Sequence, residues 1–158
     1  MRVVFRYEDK PTNNYLGTDG SSDAVVLFDT GIIRYEHYLF RCDMPSITKD
    51  IGPFPEVVAQ VEKLLSLYAS EIEGFPTFID NSCDDGSWQY FRFYDKEIVV
   101  DNMRHYSKEA MRTIRLLHEG EQLDKIMLSV RQTNTVVEIY QKIAAIIREN
   151  CDLGGYLQ

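Results

Sequence analysis

Between Asp80 and Gly86 the chain concentrates oxygen-bearing side chains: Asp80, Asn81, Ser82, Asp84 and Asp85, with Cys83 among them. Carboxylates and carboxamides at this density are the donor set of a hard divalent cation. A calcium loop also needs a glycine at its sixth position and a bidentate glutamate at its twelfth. Counted from Asp80, the glycine comes one place late, at Gly86, and the closing position is Phe91. That pattern fails. Two readings of the run remain: a looser metal site serving a hydrolase built on Asp80, Asp84, Asp85 and a histidine, or a solvated loop leading into a hairpin.

Acid–base or metal chemistry would bring histidines together with carboxylates. His37, His105 and His118 form neither His-x-x-x-His nor His-Glu-x-x-His, and His118 near a helix end suits the helix dipole. No serine sits in a Gly-x-Ser-x-Gly elbow, and no phosphate-cradling glycine motif occurs. Cys42, Cys83 and Cys151 are odd in number and contain no Cys-x-x-Cys, so three reduced thiols are expected. A spatial Cys83–His105 pair is left open and unsupported. No catalytic residue, metal ligand or cofactor is assigned.

Binding has more support than catalysis. Trp88, Tyr90, Arg92 and Tyr94 alternate with Phe91 and Phe93, so the two sets point to opposite faces of a strand. Phe91 and Phe93 read as core. Trp88 and Tyr90 are either covered by a second helical layer or exposed as anchors for a partner. The charge around them is lopsided. The chain is net −8, and residues 54–106 hold 4 basic against 10 acidic groups, net −6. Such a middle third disfavours phosphate backbones, hence nucleic acid, and favours a basic protein partner or plain solubility. The binding residues expected on this ground are Glu71, Glu73, Asp80, Asp84, Asp85, Asp95 and Glu97, with Trp88 and Tyr90 as anchors. Reversing Asp84 and Asp85 to lysine should then weaken binding and flatten its salt dependence.

The elements that must position these residues follow from periodicity. Residues 2–8, 24–29 and 32–41 read as strands, the latter two closing a hairpin over Asp29, Thr30 and Gly31. The proline- and glycine-bearing stretch 42–54 reads as loop. Pro55 opens a helix whose Val57, Val58, Val61, Leu64, Leu65 and Tyr68 repeat at helical spacing, ending at Gly74 and Pro76. Residues 77–79 make a short strand. Residues 88–94 and 97–103 make a second hairpin turning at Asp95 and Lys96. Ser107 caps a helix over 108–118, a second runs over 121–130, residues 130–134 break, and 135–150 form the strongest helix. These add up to an α+β fold: a mostly antiparallel sheet of about five to six strands with three to four helices. Residues 1–158 are expected to form a single domain, with 152–158 a flexible tail. No 18-residue apolar run or secretion signal is present, so a cytoplasmic protein with no membrane partner is expected.

From Glu56 to Met103, the amphipathic helix, Asp-rich loop, aromatic strand and following strand resemble small, acidic bacterial α+β proteins, among them immunity proteins of polymorphic toxin systems. The resemblance covers about a third of the chain and brings no functional residues with it. It implies a non-enzymatic protein that neutralises a basic toxin. The alternatives are the hydrolase around residues 80–86, and a regulatory subunit that associates through its last helix and tail. Oligomeric state is undetermined by the sequence.

Overall fold

A computed structural model describes residues 1–11, 20–81 and 87–151. Its centre is one seven-stranded sheet: β1 (Val3–Pro11), β2 (Ser22–Phe28), β3 (Ile33–Tyr38), β4 (Ile47–Ile51), β5 (Phe78–Ile79), β6 (Ser87–Phe93) and β7 (Lys96–Asp101). The spatial order is β4-β3-β2-β1-β6-β7-β5. Every pairing is antiparallel except β5 with β7. The α+β, mostly antiparallel architecture expected from the sequence is therefore present, with one strand more than foreseen.

Four helices complete it: α1 (Pro55–Leu67), α2 (Ala69–Gly74), α3 (Lys108–Leu117) and α4 (Gly120–Asn150). One face of the sheet presents Phe5, Tyr7, Val25, Leu27, Ile33, Phe91, Phe93, Ile98 and Val100. They pack against Val57, Val61 and Leu65 of α1 and Val136, Ile139, Tyr140, Ile143 and Ile147 of α4. Each fully buried aliphatic side chain in this layer contributes roughly 1.5–3 kcal/mol. Rings tie the layers together: Tyr7 lies 4.5 Å from Tyr140, and Phe91 meets Tyr140 edge-on at 5.8 Å. Alternation fails once, at an irregularity between Val3 and Phe5, where the adjacent Val4 and Phe5 are both fully buried.

The turn between β2 and β3 fixes where α1 begins. Gly31 has φ +86°, and a Cβ there would stand 2.8 Å from the Phe54 backbone. Its carbonyl accepts the Phe54 N–H at 2.8 Å, so only glycine lets the chain entering α1 approach this closely.

Several sequence expectations are corrected. The stretch 42–54 is not all loop: it contains β4, an edge strand. Only Ile51 of its five residues is even half-buried, so no alternation betrays it. The helix expected over 55–74 is broken at Tyr68 (φ −106°, ψ 12°) into α1 and α2. The β6–β7 turn falls at Tyr94 and Asp95, one residue early, with Tyr94 at φ +53°. β3 ends at Tyr38 rather than Arg41, and Leu39 is exposed. No break interrupts 130–134. Thr133 stays in α4 by returning its hydroxyl to the Ser129 carbonyl at 2.8 Å, and Thr135 returns its own to Arg131 at 3.0 Å. Asn134 uses its amide to hold the Tyr106 backbone at 2.7 and 3.0 Å. The expected tail, residues 152–158, lies outside the described residues.

Candidate functional site

The break at Tyr68 opens a groove. Because α2 departs from the line of α1, Leu65 and Ala69 are left beside Ile72 of α2 and Phe93 of β6. Together they floor a cavity of about 420 Å³. Glu62, Glu73 and Asp95 reach its lining, against the single ammonium of Lys96. The Lys96 amine leans back to donate to the Glu73 carbonyl oxygen at 3.4 Å. Burial, then the neighbouring Glu62 carboxylate, holds the Tyr94 hydroxyl above the ordinary tyrosine pKa, partly offset by Arg2. The Arg2 guanidinium lies 4.9 Å from the Tyr94 ring and 3.6 Å from Asp95, while Arg92 approaches Asp95 to 3.8 Å. Asp95 is 82% exposed, so these contacts are worth at most about 1 kcal/mol and leave the carboxylate available. An apolar floor under three carboxylates suits a side chain with an aliphatic stem and a cationic head.

A second feature sits where β5, β6 and β7 meet. Trp88 and Phe78 pack edge to face with centroids 5.4 Å apart, and each is 39% exposed. Tyr90, half-buried beside them on the same face, has the Lys10 ammonium 5.3 Å from its ring. Neither α1 nor α4 supplies a side chain to this face within the main core. Its buried Ala24, Val26 and Phe28 lie outside that cluster. Charged side chains cover them instead. The Arg34 guanidinium stacks 5.1 Å over Phe28 and binds Asp50 through two hydrogen bonds of 2.7 and 2.9 Å. Arg6 contacts Glu8 at 2.8 Å and Glu36 at 3.5 Å. Burial would lower its pKa, but Glu8 and Tyr38 raise it further. Glu8, only 4% exposed, also takes a 2.8 Å bond from Ser22 and lies 3.5 Å from Lys10. The strands place Arg6, Lys10, Arg34 and Arg92 on this face with Glu8, Glu36, Asp50, Glu97 and the buried Asp101. Four cations against five carboxylates leave it close to electrical balance.

The structure thus separates the residues expected to bind. Glu73 and Asp95 meet at the groove. Glu71 is exposed on the same short helix but does not line it. Trp88, Tyr90 and Glu97 belong to the balanced face. Asp80 follows β5 at the opposite end and lines a different cavity of about 410 Å³ with Asn81, Arg104, Tyr106 and His118. Asp84 and Asp85, with Cys83, lie outside the described residues. Among the described residues, the acidic set is therefore not one continuous surface. Glu62 and Tyr94 also belong to the groove, though neither is among the binding residues expected from the sequence. The missing signal was the helix break at Tyr68, which no glycine or proline marks.

The remaining chemistry-bearing groups are dispersed. His37 accompanies Asp23 at 2.7 Å, and the Tyr35 hydroxyl donates to the same carboxylate at 2.5 Å. His118 is the C-terminal cap of α3. Cys42 is an exposed free thiol. Among the described residues, no group of three or more His, Cys, Asp or Glu side chains is placed to hold a metal ion. Likewise, no helix there is long and apolar enough to cross a membrane. No known protein family matches the chain, and no curated protein matches it.

Proposed function

We propose that the protein is a non-enzymatic binding protein of the immunity type, which neutralises a basic protein partner in the cytoplasm. The observation that carries this reading is the groove between α1, α2 and the β6–β7 turn, where Glu62, Glu73 and Asp95 rim a floor of Leu65, Ala69, Ile72 and Phe93. An arginine or lysine of the partner gains twice there: its stem leaves water and its charge meets carboxylates. Trp88 and Phe78 supply exposed aromatic area of the kind that anchors protein interfaces. The excess of acid over base in residues 54–106 draws a basic partner into encounter.

The test is capture from the native host with tagged wild-type chain, with Glu73→Lys/Asp95→Lys and with Trp88→Ala, at low and high salt, followed by mass spectrometry. The expected result is one basic protein, retained by the wild type, released by salt and lost from the charge-reversed chain. Co-expression should then protect a host from that protein. An unchanged captured set in the charge-reversed chain would contradict the reading.

A metal-assisted hydrolase is the second reading, favoured by one observation: Asp80 and His118 line the same cavity. A melting-temperature rise with a divalent ion, abolished by Asp80→Asn, would support it. No rise with magnesium, calcium, manganese or zinc would set it aside.

A further inference from the structure

α3 is the helix of this acidic chain with a net positive charge: Lys108, Arg112 and Arg115 stand against Glu109 alone. Their spacing of four and three places all three cations along one side of the helix, and Leu116 lies one turn beyond Arg112 on that side. Met111 and Ile114 face α4 half-buried, and no residue of α3 is fully buried. Leu116 is 86% exposed. None of the three cations is in an ion pair with another described residue, whereas Arg2, Arg6, Lys10, Arg34, Arg92 and Lys142 each have one. α3 therefore presents an apolar side chain flanked by unpaired cations. The groove presents the complement, an apolar floor flanked by carboxylates, of which Glu62 and Glu73 form no ion pair with another described residue.

We propose that the protein associates with itself head to tail, the basic edge of α3 in one copy docking in the α1–α2 groove of the next. Leu116 enters over Leu65, Ala69 and Ile72, and Arg112 and Arg115 meet Glu62 and Glu73. The two patches differ, so the contact is heterologous and grows into short chains unless a ring closes. The patches are small and their rims exposed, which places the association weakly, between roughly 10 μM and 1 mM. The inference rests on the groove of the proposed function but not on the partner. A second copy competes with a basic partner for the same site.

Sedimentation velocity of the full chain over that concentration range, at low and at high salt, tests it directly. The wild type is expected to gain mass with concentration and to lose the gain in salt. Arg112→Glu/Arg115→Glu alone and Glu62→Lys/Glu73→Lys alone are expected to stay monomeric. Their equimolar mixture, in which both contacts are again complementary, regains association. All four positions are exposed or solvent-facing, and circular dichroism checks that each variant folds. A wild type that stays monomeric to about 1 mM overturns the inference without needing any variant. So does self-association that survives either reversal. Neither outcome touches capture of a basic protein by the wild type, which is read separately.

Discussion

The two faces of the sheet are built from the same strands and hold their structure by different means. On the helix-covered face, Phe5, Tyr7, Phe91 and Phe93 meet Ile139, Tyr140 and Ile143 in a dry core. On the other face, Ala24, Val26 and Phe28 are also buried, with the Arg34 guanidinium over Phe28 and Arg6 beside Val26 in the strand register. Carboxylates from neighbouring strands neutralise those cations. Charge on the second face is thus mainly structural: Arg6, Lys10 and Arg34 each lie against Glu8, Glu36 or Asp50. At the groove rim Asp95 is shared with Arg2 and Arg92, while Glu62 and Glu73 have no ion-pair partner among the described residues. Pairing sets Glu8, Glu36 and Asp50 apart from Glu62 and Glu73, which form no ion pair with another described residue.

The comparison can be broken most severely in the dry core. Ile143→Ala, at a fully buried position, should cost about 4 kcal/mol in urea unfolding. Next comes the ionic cover. Glu8→Leu leaves the half-buried Arg6 with only the more distant Glu36 and Tyr38, and should cost about 2 kcal/mol. Glu8→Leu with Arg6→Met should recover most of that loss. A double variant as damaged as the single would show that the pair is not self-contained.

Alkaline titration distinguishes the faces by another route. Burial is the main cause that pushes the Tyr140 hydroxyl up to about 12, and Tyr7 is raised too, by burial and by the charge of Tyr140. Folding therefore holds both phenolic protons more tightly than the unfolded chain does. Their contribution is complete below the ordinary tyrosine value of 10.0 and is lost as pH rises from there through about 12. Tyr140→Phe should move the alkaline unfolding midpoint upward, at a neutral-pH cost of roughly 1 kcal/mol for its hydrogen bond.

The smallest effects lie at the surface. Arg34 holds the Asp50 carboxyl below the usual carboxylate range, so that pair's contribution is present at neutral pH and lost as acid protonates Asp50. A double-mutant cycle should give no more than about 1 kcal/mol, since Asp50 is exposed and Arg34 partly so. Glu73→Lys/Asp95→Lys should cost no more than about 1 kcal/mol of stability, from the loss of the Asp95 contacts with Arg2 and Arg92, while removing partner capture.

Much of this architecture was legible in the residues. Alternation separated Phe91 and Phe93 from Trp88 and Tyr90 correctly, and the α4 stripe of Val136, Ile139, Tyr140, Ile143 and Ile147 is buried as its spacing implies. β4 was not legible, because an edge strand that buries little shows no period. The continuity of α4 through Thr133 and Asn134 was hidden too, because their helix-compatible hydrogen bonds depend on Ser129 and on the distant Tyr106. The groove was only half legible. The acidity of Glu73 and Asp95 was visible, but their meeting depends on the break at Tyr68 and on a β-turn one residue early. Sequence could not show the balance of the second face at all, since Arg6, Glu36 and Arg34 become neighbours only through strand register.

The most direct test of the central claim is a titration of the captured partner, once purified, against the wild type and Glu62→Lys/Glu73→Lys over a series of salt concentrations. The account predicts at least a tenfold weaker Kd, about 1.4 kcal/mol, and a shallower salt dependence for the reversed groove. Equal affinity and equal salt slope in the two chains would contradict it and remove the groove as the binding site.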